Sequence, residues 1–203
     1  MSDKKGIELL SEKLVLGLFK DLSMEEKEVL SYGATILLST LGTYLLLIFV
    51  SSLFNVTVLA LTAVATSSLL RIFSGGVHAS RFRNCALSGT IVFTTLGLIV
   101  SNFGSQIKNI NILVCLLLIT GSLIIYLYAP AEIKEKPITS QEKRARFKIY
   151  SFIVLSSLLL IYYIINLRTD YNYFVLAGLL GISWQLFTLT PIAYKLLGRN
   201  DNI

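Results

Sequence analysis

The sequence is short of the residues on which most classes of peptidase and metalloenzyme depend. Its 203 residues include one histidine and two cysteines, and no carboxylate occurs between Glu28 and Glu132. A single histidine excludes a His-Glu-x-x-His zinc peptidase and leaves few side chains to ligate any metal. The apolar segments contain no aspartate, which excludes an intramembrane aspartyl protease. We therefore expect a protein that uses neither a metal nor another cofactor.

Charged residues are scarce as well, at 15% of the chain against 54% hydrophobic residues, and the mean hydropathy is +0.72. A soluble domain is nearer a quarter charged. A helix needs about twenty apolar residues to cross a bilayer. Six apolar runs occur, without Asp, Glu or Lys in their interiors: 32–53, 56–73, 86–103, 110–129, 148–166 and 172–194. They predict an all-α polytopic membrane protein with about six transmembrane helices, a transmembrane domain over 32–194 and a tail over 195–203.

Residues 1–31 are amphipathic rather than uniformly apolar. Ile7, Leu10, Leu14 and Leu18 recur at helical spacing, with charged residues at other positions. This pattern favours a helix that lies in the membrane interface with its apolar face among the lipid headgroups. A helix packed on the protein's own cytoplasmic surface would give the same pattern, so both interpretations remain open.

The basic residues predict the orientation in the membrane. With the N-terminus inside and six crossings, every Lys and Arg except Lys108 and Arg168 falls on the cytoplasmic side. Both termini and the loops 71–85 and 130–148 are then cytoplasmic. The net charge of +6 arises from short basic blocks beside apolar runs, which is typical of contact with a lipid bilayer. Nucleic acid is therefore not expected as a partner.

The stretch RIFSGGVHASRFRNC, residues 71–85, contains the candidate chemistry. It holds His78, the only histidine, and Cys85, the only cysteine outside an apolar run. A cysteine nucleophile reacts as its thiolate, and a neighbouring histidine can take the proton. Cys85 is expected where a helix begins, so the helix dipole and the neighbouring arginines favour the thiolate. Cys115 lies inside an apolar run and is expected to behave as a small hydrophobic residue.

Spacing restricts how these two residues can meet. On one straight helix they would lie about 10 Å apart, whereas proton transfer needs about 3 Å. The chain must therefore bend between them, and Gly75 and Gly76 can adopt backbone conformations closed to other residues. Other interpretations exist: the arginines, including Arg71, could only set topology, and the glycines could only cap a helix. If the imidazole needs an orienting group, Asn84, Ser74 or Ser80 could supply it locally. Glu132 could reach it from the second loop, but a plain Cys–His dyad is preferred.

This stretch resembles the AgrB (accessory gene regulator B) family of membrane cysteine endopeptidases. The similarity includes an Arg, a Gly-x-His-Ala element and a Cys seven residues after the His, which are here Arg71, Gly76, His78, Ala79 and Cys85. A second similar segment is YAPAEIKEKPI, residues 128–138, followed by KRARFK. A third, shorter one is LTPI, residues 189–192. Hydropathy and loop order resemble the family across nearly the whole chain.

The resemblance implies a thiol protease of peptide quorum sensing. Such enzymes cut the C-terminal part from an AgrD-type propeptide and close the remainder into a thiolactone or lactone. Cys85 would be the nucleophile and His78 the base, with Arg71, Gly75 and Gly76 in support. The basic cytoplasmic loop would bind the acidic tail of the propeptide, through Lys134, Lys136, Lys143, Arg144, Arg146 and Lys148.

Two other functions are weighed against this one. A transporter generally carries ionisable residues inside its spans, and these spans have none. A non-catalytic scaffold or sensor would need neither Cys85 nor His78. Membrane proteins of this size often pair, and the sequence leaves a homodimer open.

Overall fold

The structure, a computed structural model, is entirely helical in its regular elements. It describes residues 6–19, 22–77, 82–107, 109–131, 140–168 and 172–197, without the side chains of 82–84. These residues form eight α-helices, a 3-10 turn over Gly104–Gln106 and no strand: α1 Ile7–Leu18, α2 Met24–Leu53, α3 Thr57–Ser74, α4 Phe82–Phe103, α5 Ile110–Tyr128, α6 Gln141–Arg168, α7 Asn172–Phe187 and α8 Pro191–Leu197.

The helices confirm the prediction of an all-α polytopic membrane protein. Helices α2 to α6 are each long and apolar enough to cross a bilayer, and α7 with α8 qualifies as a bent pair, which makes up to six spans. In α5, Val114, Leu117 and Ile125 are buried, while Ile112 and Ile119 are exposed. A helix that is apolar on both its buried and its exposed face is suited to lipid rather than to water.

The chain divides into two compact units, Met1–Leu46 and Leu47–Ile203. In the first unit, α2 begins at Met24, well before the apolar run that starts near residue 32. Its start is fixed by a capping box, in which the Ser23 backbone N–H donates to Glu26 Oε2 (2.9 Å) and the Glu26 backbone N–H donates to Ser23 Oγ (3.3 Å).

Helix α1 also belongs to the first unit, and its two faces have different surroundings. Ser11 and Val15 are buried, and the Ser11 hydroxyl is hydrogen-bonded to Thr35 of α2. The predicted apolar stripe, by contrast, leaves Leu10 and Leu18 exposed. One face of α1 is therefore packed, and the other is apolar and exposed.

The second unit is built around α7, which is the most buried helix and packs against α3, α4, α5 and α6. Small residues allow this close packing. A Cβ atom at Gly181 would lie 2.2 Å from the Ala63 carbonyl oxygen of α3. The Tyr162 hydroxyl of α6 is also hydrogen-bonded to Thr66 of α3 (2.6 Å). These contacts pack α3 closely against α6 and α7.

The last apolar run, 172–194, is not one straight helix. It breaks after Phe187, and α8 leaves at 86° to α7. Sixteen residues of α7 span about 24 Å, less than a hydrocarbon core of about 30 Å. The break is supported locally by Pro191 at the first position of α8, where its missing N–H costs no hydrogen bond. It leaves the carbonyl oxygen of Thr188 available to a neighbouring segment.

Candidate functional site

Cys85 lies in the first turn of α4, which begins at Phe82. It is half-buried, as expected for a thiol that must be reached by a substrate. It stands in the N-terminal part of α4, at the positive end of the helix dipole. The segment 75–77 is not helical, and α4 is described from Phe82. His78 itself lies outside the described residues.

The two glycines form the exit from α3. Helix α3 ends at Ser74, and Gly75 and Gly76 have φ of 69° and 139°. A Cβ atom on Gly75 would lie 2.1 Å from the Ala131 carbonyl oxygen. A residue with a side chain would therefore be strained in its backbone and would collide with the segment after α5. The glycines do more than cap a helix, because they let two other segments reach the backbone.

Two of the sequence segments that resemble AgrB, together with the residue just before the third, meet at this exit. The Ala131 N–H donates to the Ser74 carbonyl oxygen (2.8 Å), which brings in the segment after α5. The Val77 N–H donates to the Thr188 carbonyl oxygen (3.1 Å), which brings in the turn before α8. Residues far apart in the sequence are thus hydrogen-bonded to one short stretch, Ser74–Val77, that leads directly to position 78.

Arg71 binds the same stretch from α3. Its guanidinium donates to the carbonyl oxygens of Val77 and, at 3.4 Å, of Gly76. The side chains of Cys85 and Tyr194 lie close enough to the guanidinium to interact with it electrostatically. Arg71 therefore connects the exit of α3 with the predicted nucleophile. This role goes beyond that of a topology determinant.

The basic residues of α6 are only partly available for a substrate. Arg146 pairs with Glu142 one turn earlier, on the exposed surface. Lys148 donates to the carbonyl oxygen of Tyr126 (2.9 Å) and lies 5.4 Å from the centre of its ring, so it ties α6 to the end of α5. Lys134 and Lys136 lie outside the described residues, and their predicted part in docking is untested, as is that of Lys143 and Arg144.

Comparison with known proteins decides the family. Residues 10–189 match the family described as Accessory gene regulator B. The chain belongs to the AgrB family.

Proteins similar to this chain match most or nearly all of its length. A "Putative AgrB-like protein" of Clostridium perfringens (strain SM101 / Type A) is 33% identical over 96% of this chain and 94% of its own. An "Accessory gene regulator protein B" of Staphylococcus aureus (strain Newman) is 31% identical over 80% of each chain. No solved structure matches. The family connects this membrane protein with accessory gene regulation.

Three residues at the AgrB site escaped the sequence analysis. They are Gln185 and Thr188, at the end of α7, and Tyr194, in α8. Gln185 is fully buried and donates to the Gly75 carbonyl oxygen (2.7 Å). A signal was present, because an uncharged but strongly polar amide is costly inside an apolar run and is seldom kept there without a partner.

Proposed function

We propose that this protein is a membrane-embedded cysteine endopeptidase that cuts an AgrD-type propeptide and cyclises the part that remains. The observation that carries the proposal is the position of Cys85 at the start of α4. There it interacts electrostatically with the guanidinium that holds the segment leading into His78. A thiol at a helix N-terminus, with a cation beside it and the only histidine next along the held segment, is suited to nucleophilic catalysis.

The first half of the reaction forms an acyl-enzyme. His78 takes the proton from the Cys85 thiol, and the sulfur attacks the scissile carbonyl carbon of the propeptide. The carbon–nitrogen bond then breaks, the imidazolium returns its proton to the departing amine, and the C-terminal fragment leaves. The N-terminal part stays attached to Cys85 as a thioester. Backbone N–H groups in the first turn of α4 have no partner within the helix and are suited to stabilise the oxyanion.

The second half closes the ring. A cysteine or serine side chain within the bound peptide attacks the thioester carbonyl, and the Cys85 thiolate leaves and recovers a proton. Exchange of one thioester for another is nearly isoenergetic, so this step needs no ATP. Water has to be kept away from the thioester, because hydrolysis would release a linear peptide. The half-buried position of Cys85 supports such protection.

The substrate is expected to arrive from the cytoplasmic side along the membrane surface. The exposed Leu10 and Leu18 of α1 would lie in the headgroup region, where a membrane-bound leader peptide also gathers. The basic residues at the start of α6 would attract an acidic propeptide tail. Both steps raise the local concentration of substrate and leave the chemistry to Cys85 and His78.

Co-expression with a tagged AgrD-type precursor tests the proposal. The precursor carries an internal cysteine and an acidic tail, and immunoblotting follows its cleavage. The unmodified protein should cut it, whereas Cys85→Ala and His78→Ala should not, although both remain in the membrane fraction. Normal cleavage by either variant would refute the dyad. If the protein were a scaffold, neither substitution would change its function. If it were a transporter, the peptide would be exported uncut.

A further inference from the structure

Gln185 is an unusual residue for the middle of a membrane protein. It lies on α7 between Ile182 and Leu186, both buried, and its own side chain is fully buried. Placing an amide in such surroundings is unfavourable unless hydrogen bonds replace those to water. Methionine has a similar length and shape and would avoid this cost. Packing alone therefore does not explain why an amide side chain occupies this position.

Hydrogen bonds from the amide nitrogen explain part of the presence of Gln185. Gln185 Nε2 donates to the Gly75 carbonyl oxygen (2.7 Å) and to Ser74 Oγ (3.0 Å). A Cβ atom on Gly76 would lie 3.3 Å from the same nitrogen, so Gly76 packs directly against the amide. All three contacts are with the exit of α3 and not with its helical body. Gln185 thus holds the backbone where α3 ends.

Hydrogen bonds of Thr188, just after α7, also fix the segment that follows α3. Thr188 Oγ1 donates to the Gln185 carbonyl oxygen (2.7 Å), and the Thr188 carbonyl oxygen accepts from the Val77 N–H (3.1 Å). Arg71 donates to the carbonyl oxygen of the same Val77. The peptide groups of Gly75 and Val77 are thereby fixed from α7 and α3 together. In the sequence, His78 follows Val77 directly.

The state of the amide oxygen distinguishes Gln185 from a residue that only joins two helices. Gln185 Oε1 is buried and has no hydrogen-bond partner among the residues that the structure describes. A group selected only for helix packing would not retain a buried acceptor in this state, since an apolar side chain would remove the penalty. The donor half of the amide, directed at Gly75 and Ser74, is therefore the part that the protein uses.

We propose that Gln185 is a positioning residue of the peptidase reaction. It holds the Gly75–Val77 segment, from which the chain continues into His78, and so fixes where the imidazole can meet Cys85. This inference rests on the proposed function, because it assigns to Gln185 an effect on the Cys–His pair. It does not make Gln185 a group that touches the substrate.

The test measures how readily Cys85 forms its thiolate. All variants are made in a Cys115→Ala background, so that iodoacetamide reports on Cys85 alone, and its alkylation rate is followed against pH in isolated membranes. Three substitutions are compared: His78→Ala, Gln185→Met and Tyr162→Phe. Tyr162→Phe is the matched control, because it removes a different interhelical hydrogen bond from α3, the one to Thr66. Arg71, which interacts with Cys85, and Tyr194, which interacts with Arg71, are unchanged throughout.

The expected order of effects is specific. The alkylation profile of the background protein gives the reference midpoint for the variants. His78→Ala should move this midpoint to higher pH, and Gln185→Met should move it in the same direction. Tyr162→Phe should leave it in place. Cleavage of the tagged precursor should fall on the order of tenfold to a hundredfold in Gln185→Met, as misplacement of a catalytic group causes.

Two results would overturn the inference in distinguishable ways. If His78→Ala shifts the midpoint and Gln185→Met does not, the dyad stands and the role of Gln185 is wrong. If His78→Ala has no effect on alkylation or cleavage, the proposed function fails and the inference fails with it. Should Gln185→Met not accumulate in membranes, Gln185→Asn replaces it. That variant keeps the amide but is one methylene too short to reach Gly75 and Ser74 together, and the same outcomes decide.

Discussion

The surroundings of the two cysteines differ in almost every physical respect. Cys85 is half-buried at the start of α4 and interacts with the guanidinium of Arg71. Cys115 is exposed in the middle of α5, between the exposed Ile112 and Ile119. One thiol lies beside a network of polar contacts, and the other lies on an apolar surface suited to lipid. The comparison teaches that position, rather than residue type, decides which cysteine can react.

The largest effect is expected from removing one thiol or the other. Cys85→Ala should abolish cleavage of an AgrD-type precursor, because the proposed acyl-enzyme forms on the Cys85 sulfur. Cys115→Ala should cleave at the normal rate, since its side chain is exposed to an apolar environment. Immunoblots of the tagged precursor measure both. Loss of cleavage in Cys115→Ala would reverse the assignment of the two cysteines.

A smaller but still large effect is expected from substituting Arg71, whose guanidinium interacts with Cys85. Arg71→Gln should lower the cleavage rate on the order of a hundredfold, because the Val77 and Gly76 carbonyl oxygens lose their donor and the next residue is displaced. Arg168→Gln, the same change at the last residue of α6, is the control and should have no effect. Membrane fractionation checks that both variants insert. Equal rates for the two variants would leave Arg71 with a role in topology alone.

The close packing of the Cys85 region can be tested at its glycines. Gly75→Ala should destabilise the protein by about 1–3 kcal/mol, because the new Cβ would meet the Ala131 carbonyl oxygen at a positive φ. Gly89→Ala in α4 is the matched control, since nothing lies within 4 Å of its Cβ position. Thermal unfolding in detergent compares the two. If both melt alike, the exit of α3 is looser than its contacts indicate.

The smallest effect is expected at the basic start of α6, which is polar like the Cys85 region but exposed. Lys143→Gln with Arg144→Gln should raise KM for an acidic-tailed peptide several-fold at low ionic strength, with little change in kcat. Lys148→Gln is a useful contrast, because its loss removes a contact between α6 and α5 and should lower stability instead. A KM that stays constant at low salt would exclude electrostatic docking of the tail.

Local features of the sequence were enough to locate the helices and to single out Cys85 as the candidate nucleophile. The apolar runs predicted the spans because lipid requires about twenty apolar residues per crossing, whatever lies beside them. The polar setting of Cys85 and the apolar setting of Cys115 are likewise visible in their immediate neighbours. The start of α2 was misjudged, because the capping box at Ser23 and Glu26 extends that helix into polar residues. The glycines were identified, although the atoms that require them were not.

Only the tertiary structure decided how the site is assembled. The sequence determined the membrane helices, the likeness to AgrB and the thiol, since each of these depends on a short stretch of residues. The break after Phe187 and the use of Gln185 depend on hydrogen bonds to Gly75 and Val77, more than a hundred residues away. Such contacts form only when α3 and α7 pack side by side, and no local pattern records them. Backbone groups at a helix end need partners, and the fold alone determines which distant segment provides them.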